Sequence, residues 1–206
     1  MSTVMPVENK GDFELTPAGS HLAICYRVID LGTQQKTYQG EISHKPTILL
    51  GFELCHEAMT DGRPFSAQQR FVLSSHKKSK LRAFLEAWRG VPFTDAEFGK
   101  FDVANLIGKP CLLGIVHAIQ PDATYANINS VMRITKGMEV PPMKNEALHF
   151  TFDNFNQEVF NKLSEGLQAV IAKSPEYQSL KGGKALEESL PESNGMHAVP
   201  EDEIPF

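Results

Sequence analysis

Residues 69–90 read QRFVLSSHKKSKLRAFLEAWRG, and a change of period inside them decides how the chain folds. Around Gln69 to Leu73 the pattern is that of a strand. From Leu81 onward, Leu81, Phe84, Leu85 and Trp88 fall at i, i+3, i+4 and i+7, one apolar face of a helix. Gly90 ends that helix, and Ser75 or Ser79 can cap its start. Trp88 completes the apolar stripe and so reads as core rather than as a stacking platform. Lys77, Lys78 and Lys80 crowd the helix start, where the dipole disfavours cations. An anion from outside the chain would relieve that conflict.

Working outward, residues 1–18 are polar and broken by proline, which predicts a loose arm. From Gly19 the chain alternates, with Leu22, Ile24, Tyr26 and Val28 on one face and His21, Ala23, Cys25 and Arg27 on the other. Asp30-Leu31-Gly32 ends this first strand, and a polar loop with Gln34, Gln35, Lys36, Tyr38 and Gly40 follows. Ile48, Leu50, Phe52 and Leu54 mark a second strand. The turn Asp61-Gly62 leads through Arg63 and Phe65 into the third. Tyr26 and Phe52 share faces with Leu and Ile and read as core. Beyond the helix, Thr94-Asp95-Ala96-Glu97 has capping-box spacing, and Asp102 can cap a short turn through Leu106. A fourth strand spans residues 111–118 and a fifth spans 125–134, separated by the turn at Pro121-Asp122.

Pro141-Pro142 reads as a boundary. Past it, Val159, Phe160, Leu163, Leu167, Val170 and Ile171 form a second helical pattern that Gly166 can divide. That segment is too short to stand alone and must pack on the strands or on another subunit. Pro175 and Lys181-Gly182-Gly183-Lys184 predict the start of a flexible tether. The glycine pair lacks the frame of a phosphate loop. Five strands with a helix between the third and fourth give the order of the OB-fold, a small Greek-key barrel that binds oligonucleotides. The expected fold class is therefore mainly β: a five-stranded OB-fold barrel with a C-terminal helical extension and an acidic tail. The expected division is an OB-fold domain with its arm over 1–142, the extension over 143–180, and linker and acidic tip over 181–206.

Charge is unevenly spread. The net charge is −5, yet all 20 basic residues lie in the first 185 residues, against 19 acids there. Six acids and no Lys or Arg follow Ala185. Residues 63–89 hold seven basic residues against Glu86 alone, a local charge of +6. Such separation suggests a polyanion-binding body with an acidic tail. The plainer alternative is an ordinary solvated basic face.

No apolar run approaches the ~20 residues that span a bilayer, so no membrane role is expected. The first residues lack the basic-then-apolar pattern of a signal peptide. Cys25, Cys55 and Cys111 are odd in number and widely spaced, with no CxxC, which suggests neither a disulfide framework nor a thiolate zinc site. A reducing, cytoplasmic compartment fits.

The sequence closes with Pro200-Glu201-Asp202-Glu203-Ile204-Pro205-Phe206. A solvated tail is the plain reading of such an acidic run. Three acids beside Ile204, Pro205 and Phe206 also make a docking peptide: Phe206 enters an apolar pocket on a partner, and the carboxylates meet its basic rim. This ending resembles the acidic tip of bacterial single-stranded-DNA-binding proteins, Asp-Asp-Asp-Ile-Pro-Phe, with Glu201 and Glu203 in place of Asp. In the body, residues 26–32 (YRVIDLG), 51–54 (GFEL), 106–117 (LIGKPCLLGIVH) and 125–134 (YANINSVMRI) look like the single-stranded-DNA-binding proteins of tailed bacteriophages. That likeness covers roughly residues 10–180. It implies sequence-tolerant binding of single-stranded DNA in phage replication, recombination or repair, inside the bacterial host cell. It also implies a tail that recruits host or phage replication and repair proteins.

Binding single strands without regard to sequence needs cations for phosphates and aromatic faces for bases. Arg27, Lys36, Lys45, Arg63, Arg70, Lys77 and Lys78 are the candidate phosphate partners, and Tyr38, Phe65 and Tyr125 the candidate stacking faces. Each aromatic has an alternative reading as barrel rim or core. Glu201, Asp202, Glu203, Ile204, Pro205 and Phe206 are the candidate partner-binding residues. Catalysis is not expected. His56-Glu57 begins like a zinc-protease motif, but Thr60 stands where the second His belongs. Cys55 and His56 are adjacent on a strand and point to opposite faces. The body offers no cluster of metal-binding carboxylates, and no cofactor or metal is expected. Single-strand annealing and a protein-only interaction adaptor are the alternative functions, and a homo-oligomer is left open.

Overall fold

The structure, a computed structural model, describes residues 14–121 and 123–189, with Tyr38 and residues 183–189 as backbone only. Strands β1 (Gly19–Tyr38), β2 (Glu41–Ala58) and β3 (Pro64–Val72) form a meander. Helices α1 (Lys80–Arg89) and α2 (Asp95–Gly99) and a 3₁₀ turn (Val103–Leu106) follow, then the hairpin β4 (Pro110–Ile119) and β5 (Thr124–Met132). A short β6 (Leu148–Phe150) and helices α3 (Gln157–Asn161), α4 (Glu165–Ala172) and α5 (Pro175–Ser189) complete the chain. The sheet runs β3-β2-β1-β4-β5, all neighbours antiparallel, with β6 added parallel to β1. Helix α1 packs against β3 and β5, the two ends of that order.

The caps read from the sequence are in place. Ser79 Oγ accepts from Arg82 N at the start of α1, and Gly90, at φ 77°, closes it. Thr94 and Glu97 form a reciprocal capping box on α2, and Asp102 caps the 3₁₀ turn. The second helical pattern divides into α3 and α4, but not at Gly166: the break lies between Asn161 and Glu165, and Gly166 is within the first turn of α4.

Three expectations need correction. The polar stretch after Gly32 is not a loop: β1 continues through it, pairing Thr33 with Pro46 out to Tyr38 with Glu41. Only Gln39 (φ 49°) and Gly40 (φ 83°) turn, as a two-residue hairpin with positive φ at both centres requires. This arm is wet on most of its surface, so it lacks the apolar alternation by which strands are recognised. Next, an irregularity between Cys25 and Arg27 resets the alternation of β1. Ala23, Cys25 and Val28 face one core, whereas Ile29 and Leu31 face another. Tyr26, expected in the core, is only half-buried at this irregularity. Finally, α5 carries helical backbone past Lys181-Gly182-Gly183-Lys184 to Ser189, where composition predicts a tether.

The first core lies between the sheet and α1. Phe52 meets Trp88 at a centroid distance of 5.4 Å, Phe71 meets Phe84 at 4.8 Å, and Trp88 Nε1 donates to Pro110 O at 2.8 Å. The second core sits on the other face of β1 and β2, where Ile29, Leu31 and Leu49 are covered by Phe150, Phe160, Leu167 and Ile171. The C-terminal extension thus packs on the chain's own strands. Its seams are polar. Glu176 accepts from Thr33 N at 2.9 Å and from Thr33 Oγ1 at 2.6 Å, and Gln34 Nε2 donates to Val170 O at 3.3 Å. Buried Glu53 accepts from Lys144 N, Asn145 N and Asn145 Nδ2, each at 2.7 Å. A buried carboxylate is tolerated there because three donors replace its water.

Candidate nucleic-acid interface

The β1–β2 arm and the segment entering α1 enclose a groove of about 670 Å³. Lys36 and Lys45 reach it from the two strands of the arm, Arg70 from β3, and Lys78 and Lys80 from the start of α1. Glu41 is its one carboxylate among the described residues, and Ser43, Ser74, Ser79 and His76 supply further polar groups. The geometry follows from pairing. Lys36 stands opposite Ser43, and Lys45 is one residue from Pro46, whose carbonyl accepts Leu73 N at 2.8 Å. That bond draws the end of β3, and with it the approach to α1, against the arm. Lys80 occupies the first turn of α1, which contains no acid. Five cations around one hollow make a local field that favours a polyanion.

The groove therefore gathers Lys36, Lys45, Arg70 and Lys78 from the sequence-derived set, and it adds Lys80. Lys80 was legible as one of three lysines crowding a helix start, but its place at the first helical turn is what aims it here. The other residues fall elsewhere. Lys77 is paired with Asp95 at 2.8 Å, so the dipole conflict is partly relieved within the chain. Arg63 sits in the turn after β2, paired with Asp61 at 2.6 Å and near Glu14; by register it lies toward the start of β1, away from the groove. Phe65 is a correction: it is 8% exposed within the first core, because β3 alternates and positions 65, 67 and 71 all point inward. It has no free face on which to stack a base.

Arg27 does stand on the face opposite the first core. Its guanidinium lies over Tyr26 at 5.1 Å and its Nη2 donates to Gln68 at 2.7 Å, while Nε is buried with no hydrogen-bond partner among the described residues. It crosses directly over Gly51, its pairing neighbour, where any Cβ would collide with Arg27 Nε and Cγ. Gln68 is two residues from Arg70 on the same face of β3, so Arg27 extends the cationic surface beyond the groove. Tyr125 is 44% exposed at the start of β5 and does not line the groove. Tyr38 pairs by backbone with Glu41, but its side chain, like residues 201–206, lies outside the described residues.

The cysteines are poorly suited to nucleophilic work. Burial pushes the Cys25 thiol up to about 12 and the Cys55 thiol up to about 11, and holds Cys111 well above its ordinary range. Among the described residues, no group of three His, Cys, Asp or Glu side chains is placed to hold a metal ion. No described helix is long and apolar enough to cross a membrane. A scan of the sequence against protein-family models gives no match, and a search of curated proteins gives none either.

Proposed function

We propose that this chain binds single-stranded DNA with little regard to sequence, and that the groove between the β1–β2 arm and α1 is where phosphates enter. The observation that carries the reading is convergence: five cations from the arm, β3 and α1 meet around one carboxylate. The strand order β3-β2-β1-β4-β5, with α1 between β3 and β4, supports an OB-fold body opened between β3 and β5. The groove borders the β1–β2 connection, one of the loops through which such folds take oligonucleotides. Arg27 and Gln68 continue the path across the sheet face.

The resemblance to phage-encoded single-stranded-DNA-binding proteins supports a place in DNA replication, recombination or repair within a bacterial host cell, with no catalytic step and no cofactor. Residues 201–206 then recruit replication or repair proteins, and their acids, when held by no other contact, compete with DNA phosphates. The test is a titration of a fluorescent oligonucleotide at several salt concentrations. Binding should weaken steeply with salt, by about 0.7 log units per log unit of salt for each phosphate contact. The double variant Lys45→Glu with Arg70→Glu should flatten that slope. Absence of binding at low salt would overturn the proposal and leave a protein-only adaptor.

A further inference from the structure

A second cavity, of about 640 Å³, opens at the C-terminal end of α1 and differs in kind from the groove. Trp88, Phe93, Phe101, Leu106 and Ile134 are among its walls, and no carboxylate among the described residues lines it. Three cations stand around it: Arg89, Lys109 and Arg133. Lys109 and Arg133 are exposed and make no ion pair among the described residues. Arg89 lies over the Phe93 ring at 4.6 Å and reaches Glu97 only at 3.4 Å. An apolar hollow with a cationic rim suits a ligand that is apolar at one end and anionic beside it.

This sequence contains such a ligand. Glu201-Asp202-Glu203 supplies three charges, and Ile204-Pro205-Phe206 follows directly with an aliphatic and an aromatic side chain. We infer that the cavity receives residues 201–206 of the same chain, Phe206 inside and the acids on Arg89, Lys109 and Arg133. Reach permits it. Glu176 is bonded to Thr33, and Pro110 at the cavity pairs with Ile24, nine residues back along β1, or about 30 Å. Even with the ~22 Å of α5 directed away, the 17 residues after Ser189 extend up to about 58 Å. A tether of that length gives a local concentration of millimolar order, so a weak contact is populated. Docking here leaves the cationic groove open and withholds Phe206 from other proteins. It stands whether or not the groove binds DNA.

Trp88 is the chain's single tryptophan and lines the cavity, so its emission reports occupancy. The protein lacking residues 198–206 should differ in emission from the full chain, and a synthetic peptide of residues 198–206 should restore the full-chain spectrum saturably. The same peptide with Phe206→Ala should not. Lys109→Glu with Arg133→Glu, both at exposed positions, should weaken the peptide about tenfold, while Lys45→Glu with Arg70→Glu leaves it unchanged. If the groove variant weakens the peptide and the rim variant does not, the tail sits in the groove and the inference fails. It fails equally if deletion leaves Trp88 emission unaltered and the peptide shows no saturable effect. An emission difference that depends on protein concentration would assign the contact to a second copy and overturn the intramolecular form.

Discussion

At its first turn α1 contributes Lys80, with Ser79 and Lys78 just before it, to a groove lined by five cations; at its last turn it contributes Trp88 and Arg89 to a cavity walled by aromatics. One ten-residue helix thus borders two unlike surfaces, and the way each is built differs. The groove's charged side chains are exposed, so their removal costs the fold little. The cavity is the open side of the first core, so its walls hold the body together. Function and stability are therefore separable at one end of α1 and entangled at the other.

The largest effect expected from breaking this contrast is at the cavity. Trp88→Ala removes a 6%-exposed ring and its hydrogen bond to Pro110 O, and should lower the unfolding free energy by about 3–5 kcal/mol in urea titrations followed by circular dichroism. A loss under about 1 kcal/mol would mean that the cavity wall is not part of the core. Tyr125→Ala should leave stability nearly unchanged and weaken oligonucleotide binding by about 1–3 kcal/mol, provided this exposed ring stacks on a base. Normal binding by that variant would confine the DNA path to the groove side of the sheet.

At the groove, Lys45→Glu with Arg70→Glu should change stability by no more than about 0.5 kcal/mol and flatten the log–log salt slope by about 1.4, one increment per phosphate contact. Finer still is the comparison of neighbours. Lys78→Gln should flatten the slope by about 0.7, whereas Lys77→Gln, already neutralised by Asp95, should leave it unchanged. Equal slopes for the two variants would show that the Lys77–Asp95 pair opens when DNA binds.

The smallest effect concerns the second core, which touches neither surface and serves as a control. Burial raises the Asp30 carboxyl above its ordinary 3.8, a rise lessened by the bond from Gly32 N and reinforced by the charges of Glu176 and Asp153. The unfolded chain therefore ionises Asp30 first, and folding loses stability as pH rises from 3.8 through the higher folded value. Asp30→Asn should slightly raise the urea midpoint at neutral pH, with the gain disappearing as pH falls toward 3.8. A gain that grew toward acid would show that the carboxylate stabilises the fold. DNA binding and peptide docking should not change.

Much of the body was legible because its signals are local. Leu81, Phe84, Leu85 and Trp88 share a face through the helical period, Ser79 and Gly90 mark its ends, and the Thr94–Glu97 box follows from spacing alone. The arm was missed for the converse reason. Its pairing is backbone to backbone, from Thr33 and Pro46 out to Tyr38 and Glu41, and polar side chains leave no trace of that in the pattern.

The sequence by itself determined the mainly β body, the helix between the third and fourth strands, the uneven charge, and the chemistry of residues 201–206. Only the tertiary structure decided which charges act together. Of the seven cations within residues 63–89, Arg70, Lys78 and Lys80 enter the groove. Arg63 pairs with Asp61 and Lys77 with Asp95, Arg82 is spent on Glu86 and Asp95, and Arg89 turns to the apolar cavity. Lys36 and Lys45 join from a hairpin more than twenty residues upstream of Arg70. Periodicity reports what a residue does within its own element, because backbone geometry repeats over a few residues. A field is a sum over space, so its sources are known only once distant strands are paired.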